Sequence, residues 1–288
     1  MRQQVTPLLS NLELVFFLVK TDFYIPQKAA SETGVRAVFQ THGFPQFKNE
    51  TILPKGNTEI IFDLSETNSI QASMGESLPS RLPRCFIISY GRVPVYIHLP
   101  KQQTYFGLIL DPLAIYSLLG APAGEFANRP IDLTLVDKSF YELWEQLAGQ
   151  KEFAARVALI TTCVKMKSKP LHTQDIMLNE FLCNTLDKLM TVTEVADTLC
   201  YSPRHLSRKL KSITGLNTEE VLLYKKYLRS VHLIHHTKLP LTTIGHESHF
   251  TDQSHFIKAF KLFANMTPGE YGSFKGAGPP GHIFYNVR

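Results

Sequence analysis

The last third of the chain carries two helical patterns of one design, about fifty residues apart. In the first, Val192, Val195, Ala196 and Leu199 fall on one side of a short helix, and Leu206, Leu210 and Ile213 on one side of the next. In the second, Leu241, Ile244 and Ser248 mark a short helix, and Phe256, Ala259 and Phe260 its successor. Between them Val221, Tyr224, Leu228, Val231, His232 and Ile234 predict a long helix through His235, about 18 residues and roughly 27 Å in length. Ahead of both, Ile176, Phe181, Leu182, Leu186 and Leu189 predict a further helix starting near Gln174.

End signals agree with this register. Thr191 with Glu194 and Asn217 with Glu220 have capping-box spacing, and Ser202-Pro203 places a cap before a proline in the first turn. Gly215 closes the first pattern and Asn265 the second. In the second unit Thr251 is the expected cap, Asp252 favours the positive helix start, and His249 falls in a turn that needs φ > 0. Gly245 within a helix costs on the order of 1 kcal/mol against Ala.

Before Asp111 the period is two. Val35 to Gln40, Glu59 to Leu64, Cys85 to Tyr90, Val93 to Leu99 and Thr104 to Leu110 read as strands between Gly, Pro and Asn turns. Leu12 to Val19 fits a strand or one side of a helix. Asp111-Pro112 predicts a capped helix to Leu119 ended by Gly120. Asp137 predicts another through Leu147, and Lys151 to Met166 a third. The run KMKSKPL from Lys165 breaks the chain at Pro170.

The expected fold is therefore an α+β N-terminal domain, a small barrel or sandwich with appended helices, over residues 1–168. An all-α domain with two helix-turn-helix units joined by a long helix follows over 169–271, and the Gly/Pro-rich stretch 272–288 reads as a mobile extension.

Composition changes this picture little. Lys+Arg 30 against Asp+Glu 25 gives +5, a mild excess that does not by itself point to nucleic acid. Cys85, Cys163, Cys183 and Cys200 form no CxxC pair and read as reduced thiols. The Leu12 to Val19 run is too short to span a bilayer, so a soluble, cytoplasmic protein without membrane association is expected.

The chemistry lies on the outer helix faces. Arg204, Ser207, Arg208 and Lys211 share one side of the second helix of the first unit. Gln253, Ser254, Ile257, Lys258 and Lys261 do so in the second unit, the first four being its expected DNA contacts. Arg and Lys reach guanine or phosphate, Gln pairs with adenine, Ser meets several base edges and Ile meets a thymine methyl. Two such helices, about 203–213 and 252–262, suit adjacent major grooves of one duplex. His205 reads equally as a phosphate contact or as packing.

No catalytic residue, cofactor or metal is assigned. His42 and His98 lack partners at ligand spacing, His246, His249 and His255 diverge over a turn and two helices, and neither GxxxxGK[ST] nor GxGxxG occurs. Tyr90, Tyr96, Tyr105 and Phe106 fit either a small-molecule cavity or an aromatic core.

On SPRHLSRKL (Ser202 to Leu210), Gly215, IGHESHFTDQSHFIKAF (Ile244 to Phe260) and MTPGEY (Met266 to Tyr271), the C-terminal part resembles the DNA-binding domain of the AraC/XylS family of bacterial transcription regulators. The family usually has Ala at Gly245 and Gly at His249 and Asn265. LPKGNTEIIFDL (Leu53 to Leu64) and FGLILDPLAIYSLLGAPAGEFANRPIDL (Phe106 to Leu133) resemble the sensor or dimerisation domain of a subset of these regulators. The resemblance implies promoter binding and transcriptional control, as activator or repressor, rather than enzyme action. Double-stranded DNA is the implied partner, with RNA polymerase, a small-molecule effector and a second copy as candidates. Two alternatives are an enzyme or small-molecule binding protein with an added DNA-binding domain, and a helical protein-interaction module.

Overall fold

The computed structural model describes residues 19–26, 33–66, 70–75, 77–126, 129–184, 190–274 and 278–286. The Leu12 to Val19 run, apart from Val19, and Leu186 and Leu189 lie outside them.

Two antiparallel sheets build the N-terminal half. One has the order β1-β2-β9-β4-β7-β10, from Val19–Tyr24, Val35–Gly43, Gln103–Leu110, Thr58–Asp63, Cys85–Ile88 and Ile131–Asp132. The other runs β11-β3-β8-β5-β6, from His282–Tyr285, Asn49–Ile52, Val95–His98, Gln71–Met74 and Ser80–Arg81. Side-chain alternation gives the larger sheet two buried faces. Ile60, Phe62, Cys85, Ile87, Phe106 and Leu108 point to one core, whereas Ile61, Phe86, Ile88 and Tyr105 point to the space between the sheets.

Helices cover the first of these faces. They are α1 (Ala114–Leu119), α2 (Leu133–Val136), α3 (Ser139–Gly149) and α4 (Phe153–Lys167), and they bring in Ile115, Leu133, Phe140, Leu143, Leu147, Val157 and Ile160. Gly120 closes α1 at φ 71, but Asp111 does not cap it. Its carboxylate is taken by Arg36, by Asn179 Nδ2 at 3.0 Å and by the Cys183 thiol at 3.2 Å, so its charge serves a tertiary cluster. Asp137 accepts the Ser139 amide at 2.9 Å at the start of α3 and pairs with Lys167 at 2.6 Å.

The α-half comprises α5 (Thr173–Cys183), α6 (Val192–Thr198), α7 (Pro203–Thr214), α8 (Thr218–His236), α9 (Leu241–Glu247), α10 (Gln253–Ala264) and α11 (Pro268–Phe274). Their apolar sides share one core, and Leu53, Tyr90, Leu113 and Ile283 belong to it too. At its centre Tyr224 packs on Tyr90 and Phe263, with ring centroids 5.2 and 4.9 Å away. Its hydroxyl accepts the Gly56 amide and donates to the Gly91 carbonyl, each at 3.0 Å.

The stretch expected to be a mobile extension instead contains β11, which extends the smaller sheet by antiparallel pairing with β3. Gly/Pro composition supplied the turn before it, where Leu53 N donates to Gly281 O at 2.8 Å and Gly281 N to the Tyr271 hydroxyl at 3.0 Å. His282 Nδ1 lies 2.5 Å from Glu50 and Nε2 lies 3.2 Å from Lys55 Nζ. An ammonium only donates, so Nε2 accepts and Nδ1–H donates to Glu50. Burial alone would raise Glu59, but Lys55 at 2.6 Å outweighs it and holds the carboxyl below its ordinary range.

Tyr90, Tyr96, Tyr105 and Phe106 do not line one cavity. Tyr90 meets Tyr224, the Tyr96 hydroxyl meets Asn265, and Tyr105 and Phe106 lie on opposite faces of the larger sheet. A cleft of about 400 Å³ lies elsewhere, between β2, α1 and α5, beside Arg36, Asp111, Asn179 and Cys183.

Candidate nucleic-acid interface

Both helix-turn-helix units are built on the same backbone hydrogen bonds. At the end of α6, Tyr201 N donates to Ala196 O at 2.9 Å and Cys200 N to Asp197 O at 3.1 Å. At the end of α9, Phe250 N donates to Gly245 O at 3.0 Å and His249 N to His246 O at 2.8 Å. The residue between is left-handed in each case, Cys200 at φ 55 and His249 at φ 62. His249 was legible as a turn residue; Cys200 was not, because Cys has no special preference for that region.

The caps follow. The Ser202 hydroxyl accepts the His205 amide at 3.3 Å with Pro203 in the first turn of α7. In the second unit the cap is Asp252, not Thr251: its carboxylate accepts the His255 amide at 2.8 Å. That backbone hydrogen bond holds Asp252 below the ordinary carboxylate range. The second turn is thus one residue longer, with Thr251 free to meet the His255 ring at 3.1 Å.

From the caps onward the units match at a constant offset. Leu206, Leu210 and Ile213 have their counterparts in Phe256, Phe260 and Phe263. The same offset places Arg204 with Ser254, Ser207 with Ile257, Arg208 with Lys258, and Lys211 with Lys261. Arg204, Arg208, Lys211, Gln253, Ser254 and Lys258 are exposed, with Ser207 and Ile257 half-buried beside them. The spacing i, i+3, i+4, i+7 sets four side chains of each helix in a row. Lys261, outward in the sequence pattern but outside the expected contacts, is exposed and completes the second row.

Other basic groups are committed elsewhere. Lys209 pairs with Asp175 of α5 at 2.8 Å, and Arg229 donates to Glu247 O at 2.7 Å at the end of α9. Lys225 donates to the carbonyls of Phe181 and Asn184 and lies over the Phe181 ring. His205 stands edge-on to Tyr201 at 5.0 Å.

The three family departures have structural counterparts. Gly245 lies against Phe256, where an added Cβ would stand 3.1 Å from the ring. Asn265 ends α10 in the left-handed region at φ 56, the place Gly215 takes after α7 at φ 76. Among the described residues no three His, Cys, Asp or Glu groups are placed to hold a metal ion, and no helix is long and apolar enough to cross a membrane.

A helix-turn-helix domain family matches residues 195–273, and a domain of unknown function, DUF6597, matches 35–132. The HTH-type transcriptional activator RhaS of Escherichia coli (strain K12 / DH10B) is 34% identical over 74 residues, 26% of this chain and 27% of RhaS. The chain thus spans about a quarter of the length of the curated relatives it matches. Among solved structures, ToxT from Vibrio cholerae covers 89% of this chain and 98% of its own at 11% identity and TM-score 0.45. The C-terminal domain of AraT, a response regulator from Geobacillus stearothermophilus, covers 36% and 88% at 24% identity and TM-score 0.32. The C-terminal region, residues 195–273, is thus similar to a helix-turn-helix domain family and to part of the transcriptional activator RhaS.

Proposed function

We propose that the protein is a cytoplasmic, sequence-specific transcription regulator that sets α7 and α10 into adjacent major grooves of one duplex. The observation that carries this reading is the pair of matched rows, Arg204, Ser207, Arg208 and Lys211 on α7 and Ser254, Ile257, Lys258 and Lys261 on α10, with Gln253 beside the second. Joining them, α8 has 19 residues, a length of roughly 28 Å that approaches the 34–36 Å between successive major grooves, about one turn of DNA. Arg208 and Arg204 are assigned to guanine or phosphate, Gln253 to adenine, and the lysines to phosphate or guanine. The N-terminal half takes the sensing or assembly role. The cleft between β2, α1 and α5 touches both halves, so a small molecule bound there bears on both.

Selection of the full chain against randomised duplexes at two salt concentrations tests this. Recovery of two short boxes about one helical turn apart is expected, with retention falling steeply as salt rises. Two copies of the paired boxes indicate a dimer. Retention that an Arg208→Ala, Lys258→Ala chain shares in full overturns the assignment.

A further inference from the structure

The sheet half grips both reading helices at the end remote from their caps. After α7, an added Cβ on Gly124 of the 3-10 turn Ala123–Phe126 would lie 2.5 Å from the Ser212 carbonyl and 3.3 Å from the Gly215 amide. After α10, the Tyr96 hydroxyl of β8 accepts from Asn265 Nδ2 at 3.2 Å. Gly215 and Asn265 are the equivalent closing residues of the two units. In addition, Leu53 and Tyr90 enter the core of the α-half, and Tyr224 is tied to Gly56 and Gly91. The arrangement is closed by β11 on β3, with Ile283 buried in the α-half core and Asn286 accepting the Lys48 amide at 2.9 Å. Arg204, Arg208, Lys211, Gln253, Ser254 and Lys258 nevertheless remain exposed. The contact supports the helices from behind and leaves their reading faces open.

We infer that this grip sets the separation between the two DNA boxes that the protein accepts, with β11 as its fastener and Tyr224 as a positioning residue. The inference rests on the DNA-binding reading above. Two helices joined through α8 alone would tolerate boxes displaced by a base pair by flexing the joint. A third body held to the far end of each helix removes that freedom, so an inserted base pair, which turns one box by about 34° against the other, is no longer followed.

The test uses the boxes recovered by the intact chain, with zero, one or two base pairs inserted between them, and a duplex carrying one box. For the intact chain, affinity is expected to fall at least about tenfold on insertion. A chain ending at Gly278, which lacks β11, should lose less than about threefold across the same inserts while keeping its one-box affinity. Tyr224→Phe keeps the ring and removes the hydroxyl that meets Gly56 and Gly91, and should broaden the profile in the same direction. Asn49 and Tyr285 face each other in the β3–β11 register. An Asn49→Cys, Tyr285→Cys chain in a Cys200→Ser background should show the narrow profile when oxidised. An unchanged spacing profile in both the shortened chain and Tyr224→Phe overturns the inference and leaves the DNA reading standing. So does a loss equal on one-box and all two-box duplexes, because that signals general damage. If the intact chain retains no duplex, the DNA reading fails first and takes the inference with it.

Discussion

Ala196 and Gly245 occupy the same place in the two helix-turn-helix units, each accepting through its carbonyl the amide of the residue five positions on. Their surroundings differ. An added Cβ on Gly245 would lie 3.1 Å from Phe256, a fully buried ring packed between Phe250 and Phe260. Gly245→Ala gains about 1 kcal/mol of helix propensity, yet a ring fixed on both sides yields poorly, and overpacking costs about 1–3 kcal/mol. The expected net result is a loss of about 1 kcal/mol in urea unfolding. Phe256→Leu in the same chain should cancel part of it, and simple additivity of the two changes would refute the contact as the cause.

His249 sits at φ 62 without the freedom of glycine. A left-handed conformation costs roughly 1–2 kcal/mol for most residues, less the entropy that glycine brings to the unfolded chain. His249→Gly should therefore stabilise the protein by about 0.5–1 kcal/mol, read as a higher urea midpoint at unchanged slope. A lower midpoint would mean that the ring supplies packing worth more than the strain.

Arg208 and Lys261 should separate base reading from phosphate holding. Arg208→Ala is expected to cost about 1–3 kcal/mol on the selected duplex and to relax sequence preference at one position. Lys261, at the far end of the second row, suits a phosphate. Its replacement by Ala should weaken all duplexes evenly and lower the salt slope by about 1. Anisotropy titrations at several salt concentrations distinguish the two patterns.

Acid should remove one support from the N-terminal half. The Lys167 ammonium at 2.6 Å and then the Ser139 amide lower Asp137 to about 2. A depressed carboxylate contributes stability that is present above its unfolded value, about 3.9, and is lost as pH falls toward its folded value. The Asp137 side chain is 39% exposed, so solvent screening limits the contribution to about 0.5–1 kcal/mol. Asp137→Asn should lower the melting temperature at pH 7, and the gap to the native chain should narrow below about pH 5 and close only as pH nears 2. A gap constant with pH would show that the loss comes from packing.

The helical half was legible because its signals are local. Capping boxes at Thr191 and Asn217, the Ser202-Pro203 start and the left-handed ends at Gly215 and Asn265 all depend on residues within one turn. Five strands were legible from alternation. What escaped depends on distant partners. Asp111 has the appearance of a cap, but Arg36, Asn179 and Cys183 claim its carboxylate. The short strands β3, β5 and β6 span four, four and two residues, too few for an alternation to stand out in the sequence. His282–Tyr285 follows a Gly/Pro turn and becomes a strand because the β3 edge receives it. On the outer face of α10 the place of Lys261 was legible from the helical period, whereas its equivalence to Lys211 was not, because the longer second turn hides the constant offset from the first unit.

Pairing of β11 with β3 joins segments separated by 232 positions at the contact between Glu50 and His282. During synthesis at about 5–20 residues per second, the β3 edge therefore waits roughly 10 to 50 seconds for its neighbour. An unpaired edge over such an interval can accept strands from other nascent chains. Chaperone capture of ribosome-bound intermediates should peak after the smaller sheet emerges and fall once the closing strand clears the exit tunnel.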